Sequence, residues 1–284
     1  MSQAAGDPAS TGHAIALDHV GVAGHDLAAL AGEFAALGFL LTPPARHAGG
    51  RTGNRCVMLR HGYIELLATV DGGHSATLEK FLARYAGSHI LALAVTDETA
   101  ALQRLHRAGM ADAATALAER AIDDADPSSP HARFALVTTP DPPEGRIHLV
   151  HHLTPETLWQ PRFLAHPNHA VRLDEVVLVT AQPAEPAARL SRLAGRPVVP
   201  DAAGGYRLDL ASGRVRVLPV SALDAVFPGA APPALPWFAG VTLRTDDGNV
   251  AVCTWLRDRG VAYRMADAAV QVQAGGVTLR FLPG

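Results

Sequence analysis

Lysine is nearly absent: of the 24 basic residues, Lys80 is the single lysine. A Schiff-base mechanism is excluded unless Lys80 itself serves, and the arginine bias points to a GC-rich bacterial genome. There are only two cysteines, Cys56 and Cys253, one in each half. That is too few for a disulfide framework, and both read as buried, reduced thiols. No apolar run approaches the ~18 residues that a membrane crossing needs. Basic charge is not in excess either. The 24 Lys+Arg stand against 27 Asp+Glu, for a net charge of -3, and a nucleic-acid partner is disfavoured. Charged residues make up 18% of the chain and hydrophobic ones 48%, a balance that excludes general disorder. Met1 to Ser10 has neither the basic nor the apolar region of a signal peptide, so residues 1–13 are expected to be a flexible tail and the protein cytoplasmic.

What the sequence does contain is repetition. Gly-x-[Ile/Val]-x-[Leu/Val] occurs at Gly62-Tyr63-Ile64-Glu65-Leu66, Gly145-Arg146-Ile147-His148-Leu149, Gly213-Arg214-Val215-Arg216-Val217 and Gly275-Gly276-Val277-Thr278-Leu279. Each copy reads as a strand leaving a turn. Upstream of each lies a short apolar strand and then a helix. The first pair of helices runs from an N-cap aspartate to a closing glycine, Asp26 to Gly38 and Asp97 to Gly109. The units are therefore βαβββ and fall near 14–72, 87–153, 171–221 and 237–283. An added helix is expected between His74 and Tyr85, from Leu78, Phe81, Leu82 and Tyr85 at helical spacing. Proline-rich joints lie at Thr154 to Pro167 and Pro228 to Pro236. One unit leaves a sheet face bare, so units should pack in pairs. The expectation is an α+β chain with an N-terminal domain over 14–165 and a C-terminal domain over 166–284.

Tandem βαβββ units with His in a first strand and an acidic residue in a last strand resemble the vicinal oxygen chelate superfamily, which includes glyoxalase I, extradiol dioxygenases and bleomycin-binding proteins. Leu153 to Trp159 and His166-Pro167-Asn168 resemble its glyoxalase-like branch. The resemblance implies cup-shaped paired units and metal ligands on the first and last strands of each unit. Transferred to this chain, it implies His19, Glu65 and His148 as ligands of a divalent metal (Zn, Fe, Mn or Ni), with Glu65 also catalytic. The fourth position falls on Ile90 by counting from Asp97 or, with a bulge, on His89.

The corresponding positions of the second pair are Glu175, Arg216, Gly240 and Thr278. They make a poor metal site, and Glu175 and Arg216 could pair instead. Any chemistry is therefore expected in the N-terminal half. Arg51, Asn54 and Arg133, near strand starts, are candidate substrate contacts, since arginine can hold a carboxylate bidentately. The implied activity is metal-dependent glyoxalase- or dioxygenase-type chemistry on a small oxygenated molecule by bidentate chelation, with lyase, isomerase and dioxygenase outcomes all open. The alternative is a metal-free cup that sequesters a small molecule. Neither reading calls for a nucleic acid or a membrane, and pairing of chains in a homodimer is left open.

Overall fold

The computed structural model describes residues 12–266 and 268–284; all but the last two residues of the expected tail lie outside them. The chain is a mixed α+β fold built on a sixteen-stranded hydrogen-bonded network. Unit one runs β1 (Ala16–Ala23), α1 (Leu27–Ala36), β2 (Ala45–Arg46), β3 (Thr52–Met58), β4 (Tyr63–Thr69). After α2 (Ala76–Leu82), unit two runs β5 (Gly87–Ala94), α3 (Glu98–Arg107), β6 (Ala114–Ala121), β7 (His131–Thr138), β8 (Arg146–His152). The joint carries α4 (Pro155–Leu158) and a 3₁₀ turn, Pro161–Phe163. Unit three is β9 (Ala170–Thr180), α5 (Ala184–Ala194), β10 (Val199–Pro200), β11 (Tyr206–Asp209), β12 (Arg214–Pro219). The short α6 (Leu223–Val226) precedes unit four: β13 (Trp237–Thr245), α7 (Val250–Asp258), β14 (Arg264–Ala266), β15 (Ala269–Ala274), β16 (Val277–Pro283).

In every unit the first and last strands pair in parallel, β1 with β4, β5 with β8, β9 with β12 and β13 with β16. First strands then pair antiparallel, β1 with β5 and β9 with β13, which places units side by side in twos. The two pairs join along the sheet at Phe238 opposite Ser88, and isolated bridges add Ala16 beside Ser212 and His61 beside Arg172.

The helices start and stop where local chemistry dictates. Asp26 and Asp97 accept the backbone N–H of Ala29 and Ala100, each at 2.8 Å, and Gly38 and Gly109 take φ of +87° and +80°. The largest apolar cluster draws on α1 (Phe34), α3 (Leu105), α5 (Leu190) and α7 (Leu256) together with strands of both halves. No described helix is long and apolar enough to cross a membrane.

The proline-rich joint is structural. His166 accepts the Leu40 N–H at Nδ1 (3.0 Å) and donates from Nε2 to the Met58 carbonyl (2.7 Å). Asn168 donates to the carbonyl of Leu37 at the end of α1 and accepts the Ala170 N–H, both at 3.0 Å. Leu158 and Phe163 pack on Cys56, Met58 and Tyr63 and close one end of the N-terminal cup.

Candidate active site

Strand register explains how three distant residues meet. His19 on β1 lies opposite Ala92 on β5, and Ala92 lies beside His148 on β8. The methyl side chain of Ala92 leaves room for the two imidazoles to approach, with ring centroids 5.5 Å apart at 62°. On the other side of β1, His19 is in register with Tyr63 of β4 and stacks on it at 4.5 Å. Glu65, two residues further along β4, points to the same face, and its Oε2 stands 3.9 Å from His19 Nε2.

These groups line a cavity of about 340 Å³, within the size range of small-molecule sites. Its apolar wall includes Leu67, Leu78, Ile90, Phe134, Leu136 and Val150. Thr52, Ser75, Thr77 and Thr138 add hydroxyls, and Arg120 and Arg146 add positive charge.

The protonation states are set by the surroundings. Asp18 Oδ1 accepts from His19 Nδ1 at 2.7 Å, and Asp18 also accepts from His152 Nε2 at 3.0 Å. The Nδ1 contact leaves Nε2 as the His19 nitrogen nearer Glu65. Burial opposes ionisation of Asp18, but the charge and hydrogen bond of His152, with those of His19, hold its carboxyl well below the usual range. Burial likewise opposes ionisation of Glu65. The hydrogen bond and charge of His47 outweigh it, with His19 and Arg120 adding to the effect, and Glu65 stays well below the usual range. His148 is lowered to about 3 by burial and by the charges of His19 and Arg146, so it is a neutral imidazole at pH 7.

The donor types of His19, Glu65 and His148 therefore fit a divalent metal: two imidazoles and an ionised carboxylate. His148 Nδ1 is buried with no hydrogen-bond partner. The spacing is wider than a coordination shell. Among the described residues no group of three His, Cys, Asp or Glu side chains is arranged to hold a metal as it stands. Ligands at ~2.0–2.2 Å from one ion sit roughly 3 Å apart, so the 3.9 Å between His19 and Glu65 would have to close.

A glyoxalase-like domain family model matches residues 17–194, more than half of the chain. The chain belongs to the glyoxalase-like domain family. No curated protein matches the sequence. Among solved structures, a hypothetical protein from Staphylococcus aureus is 12% identical and has a TM-score of 0.64, over 95% of this chain and 100% of that one. A variant of 4-hydroxymandelate synthase from Streptomyces coelicolor is 13% identical with a TM-score of 0.59, over 95% and 93%. A catechol 2,3-dioxygenase is 13% identical with a TM-score of 0.56, over 96% and 88%. At these identities the likeness is one of fold, the vicinal oxygen chelate fold.

Within this glyoxalase-like chain the other expected residues separate clearly. Ile90, and not His89, faces the cavity. His89 points away, sandwiched between Phe81 (4.8 Å) and Tyr85 (4.0 Å), with Nε2 donating to the Tyr85 carbonyl at 2.8 Å. Asn54 is fully buried and donates to Glu65 Oε1, so it serves the carboxylate and lies outside the cavity lining. Arg51 is exposed in the turn before β3 and is absent from the lining. Arg133 is absent too, because on β7 it has the opposite parity to the inward Phe134 and Leu136; it faces Glu119 outside.

Three residues escaped the sequence reading. Asp18 and His19 should alternate faces on a strand, but a register shift in the β1–β5 ladder falls between Leu17 and His19 and lets the pair meet. His47, in the turn after β2, reaches Glu65 Oε1 at 3.3 Å, and no periodicity marks a turn residue. Arg120 lies on β6, an alanine-rich strand whose inward parity (Ala118, Arg120) has no apolar alternation to reveal it.

The C-terminal cup is filled. Arg216 and Arg280 stand 3.7 Å and 3.5 Å from Glu175 Oε1, and Arg216 also pairs with Asp201 at 2.7 Å. Phe227, fully buried after α6, packs where Gly240 has no side chain; a Cβ at Gly240 would lie 2.9 Å from its ring.

Proposed function

We propose that this chain is an enzyme of the vicinal oxygen chelate type, acting on a small oxygenated organic molecule in the N-terminal cup. His19, Glu65 and His148 would hold a divalent metal there. The observation that carries the reading is the presence of these three side chains, of metal-ligating type, side by side at the wall of a cavity otherwise largely apolar. When bound, such a metal supplies Lewis-acid polarisation of two neighbouring substrate oxygens.

The protein's own part follows from its contacts. Asp18 keeps the proton of His19 on Nδ1. Asn54 and His47 hold Glu65 by Oε1, leaving Oε2 toward His19. His47 is partly exposed, and its Nδ1 lies 2.9 Å from Thr52 Oγ1. It therefore offers Glu65 Oε1 a route for a proton between cavity and solvent. The apolar wall would lower the polarity around a bound ligand, which strengthens each polar interaction inside. The dioxygenases among the structural neighbours favour oxygen chemistry, and isomerisation or lysis would use the same chelation.

The arrangement wider than a coordination shell favours a second reading, a cup that binds its ligand without metal. Titration of chelator-stripped protein with Mn²⁺, followed by loss of the free-ion EPR signal, separates the two. The enzyme reading expects one ion bound per chain and affinity lowered by about tenfold or more in Glu65→Gln. Absence of binding in the parent chain contradicts it.

A further inference from the structure

We infer that Arg120 is the anion-recognising group of the cavity and that the ligand is a small carboxylate with an apolar, ring-sized body. The inference rests on the N-terminal cup being the ligand site, as proposed above.

Arg120 is 6% exposed and lines the cavity. Its guanidinium makes two long protein contacts, 3.4 Å to the Ala121 carbonyl and 3.5 Å to Cys56 Sγ, a weak acceptor. Most of its five N–H donors are left without a protein acceptor, and among the described residues no carboxylate is in ion-pair contact with it. Glu65 balances its charge only at longer range; burying a cation with no carboxylate in contact is costly, and other arginines of this chain avoid it. Arg146, in the same cavity, is held by both oxygens of Asp141 at 3.1 Å and 3.2 Å. Arg189, Arg216 and Arg244 each have a carboxylate at 2.6–2.8 Å. Arg104 directs its donors to the carbonyls of Gly12, Arg192 and Leu193.

A planar fork of donors in the lining of the cavity matches a carboxylate, which it can hold bidentately. The wall around it decides the rest of the ligand. Phe134, Leu136, Leu67, Leu78 and Ile90 surround a volume suited to a ring and a short chain.

The test is calorimetric binding of phenylacetate and 3-phenylpropionate, each against its primary amide, to the full chain after chelator treatment. The acids are expected to bind about tenfold or more tighter than the amides, as a charge-assisted pair requires. Arg120→Met should erase that preference, and Arg120→Lys should keep part of it. Equal binding of acid and amide by the parent chain, as expected if Arg120 only balances the charge of Glu65, overturns the inference. So does no binding of either acid up to about 10 mM, a free energy weaker than roughly -3 kcal/mol. Tighter binding of benzylphosphonate than of phenylacetate assigns a phosphoryl ligand and overturns the carboxylate class. The parent-chain comparison decides even if a variant fails to fold. Because the titration is metal-free, acid selectivity and metal binding can fail independently.

Discussion

Asp18 and His19 are sequence neighbours on a strand, yet Asp18 Oδ1 lies 2.7 Å from His19 Nδ1. The irregular β1–β5 register makes this contact available, and it decides which nitrogen of His19 faces Glu65. Asp18→Asn should keep the shape and lose the negative charge that fixes the tautomer. Metal affinity is then expected to fall 10–100-fold, the usual effect of removing a carboxylate behind a ligating histidine. Mn²⁺ titration of the variant checks this; unchanged affinity would show that Asp18 does not orient His19.

His89 makes a second prediction, independent of any ligand. Burial lowers it to about 4, while in the unfolded chain it titrates near 6.5. The unfolded state therefore binds more protons between these values. The stability this group contributes is complete above pH 6.5 and is lost as pH falls toward 4. His148 and His166, also lowered by burial, steepen the same limb. His89→Gln retains a donor for the Tyr85 carbonyl and removes the titration. Urea unfolding between pH 7 and 4 should show the variant losing stability less steeply, by up to ~1.4 kcal/mol per pH unit. Parallel slopes would contradict the assignment.

Asn168 makes a third. It is fully buried and joins the end of α1 to the start of β9 through two hydrogen bonds. Asn168→Ala leaves the Leu37 carbonyl and the Ala170 N–H unpaired and should cost about 2–6 kcal/mol, at 1–3 kcal/mol per buried orphan. Ligand affinity of the folded variant should be unchanged, because the residue is outside the cavity. Denaturant midpoints test the first statement and calorimetry the second.

The fold could be read from the sequence because repetition shows at the level of single residues. The four glycine-led strands are β4, β8, β12 and β16, and Asp26, Gly38, Asp97 and Gly109 mark helix ends as observed. Of the two positions left open by counting from Asp97, Ile90 lines the cup and His89 does not, since strand parity is the same in both units. The surroundings of the site were harder. A bulge moved Asp18 to the face of His19, a turn delivered His47, and parity sent Arg133 outward while Arg120 came in. Each depends on sheet register or loop path, which residue type alone does not encode. The joint around His166 and Asn168 was recognisable by pattern, but its hydrogen bonds to Leu40, Met58 and Leu37 belong to the tertiary fold.

The central claim is that His19, Glu65 and His148 are metal ligands, and elemental analysis of the chain purified without chelators tests it most directly. The account predicts about one equivalent of Zn, Fe, Mn or Ni per chain, reduced severalfold in His19→Ala. Less than about a tenth of an equivalent, unchanged after incubation with each metal, would contradict it.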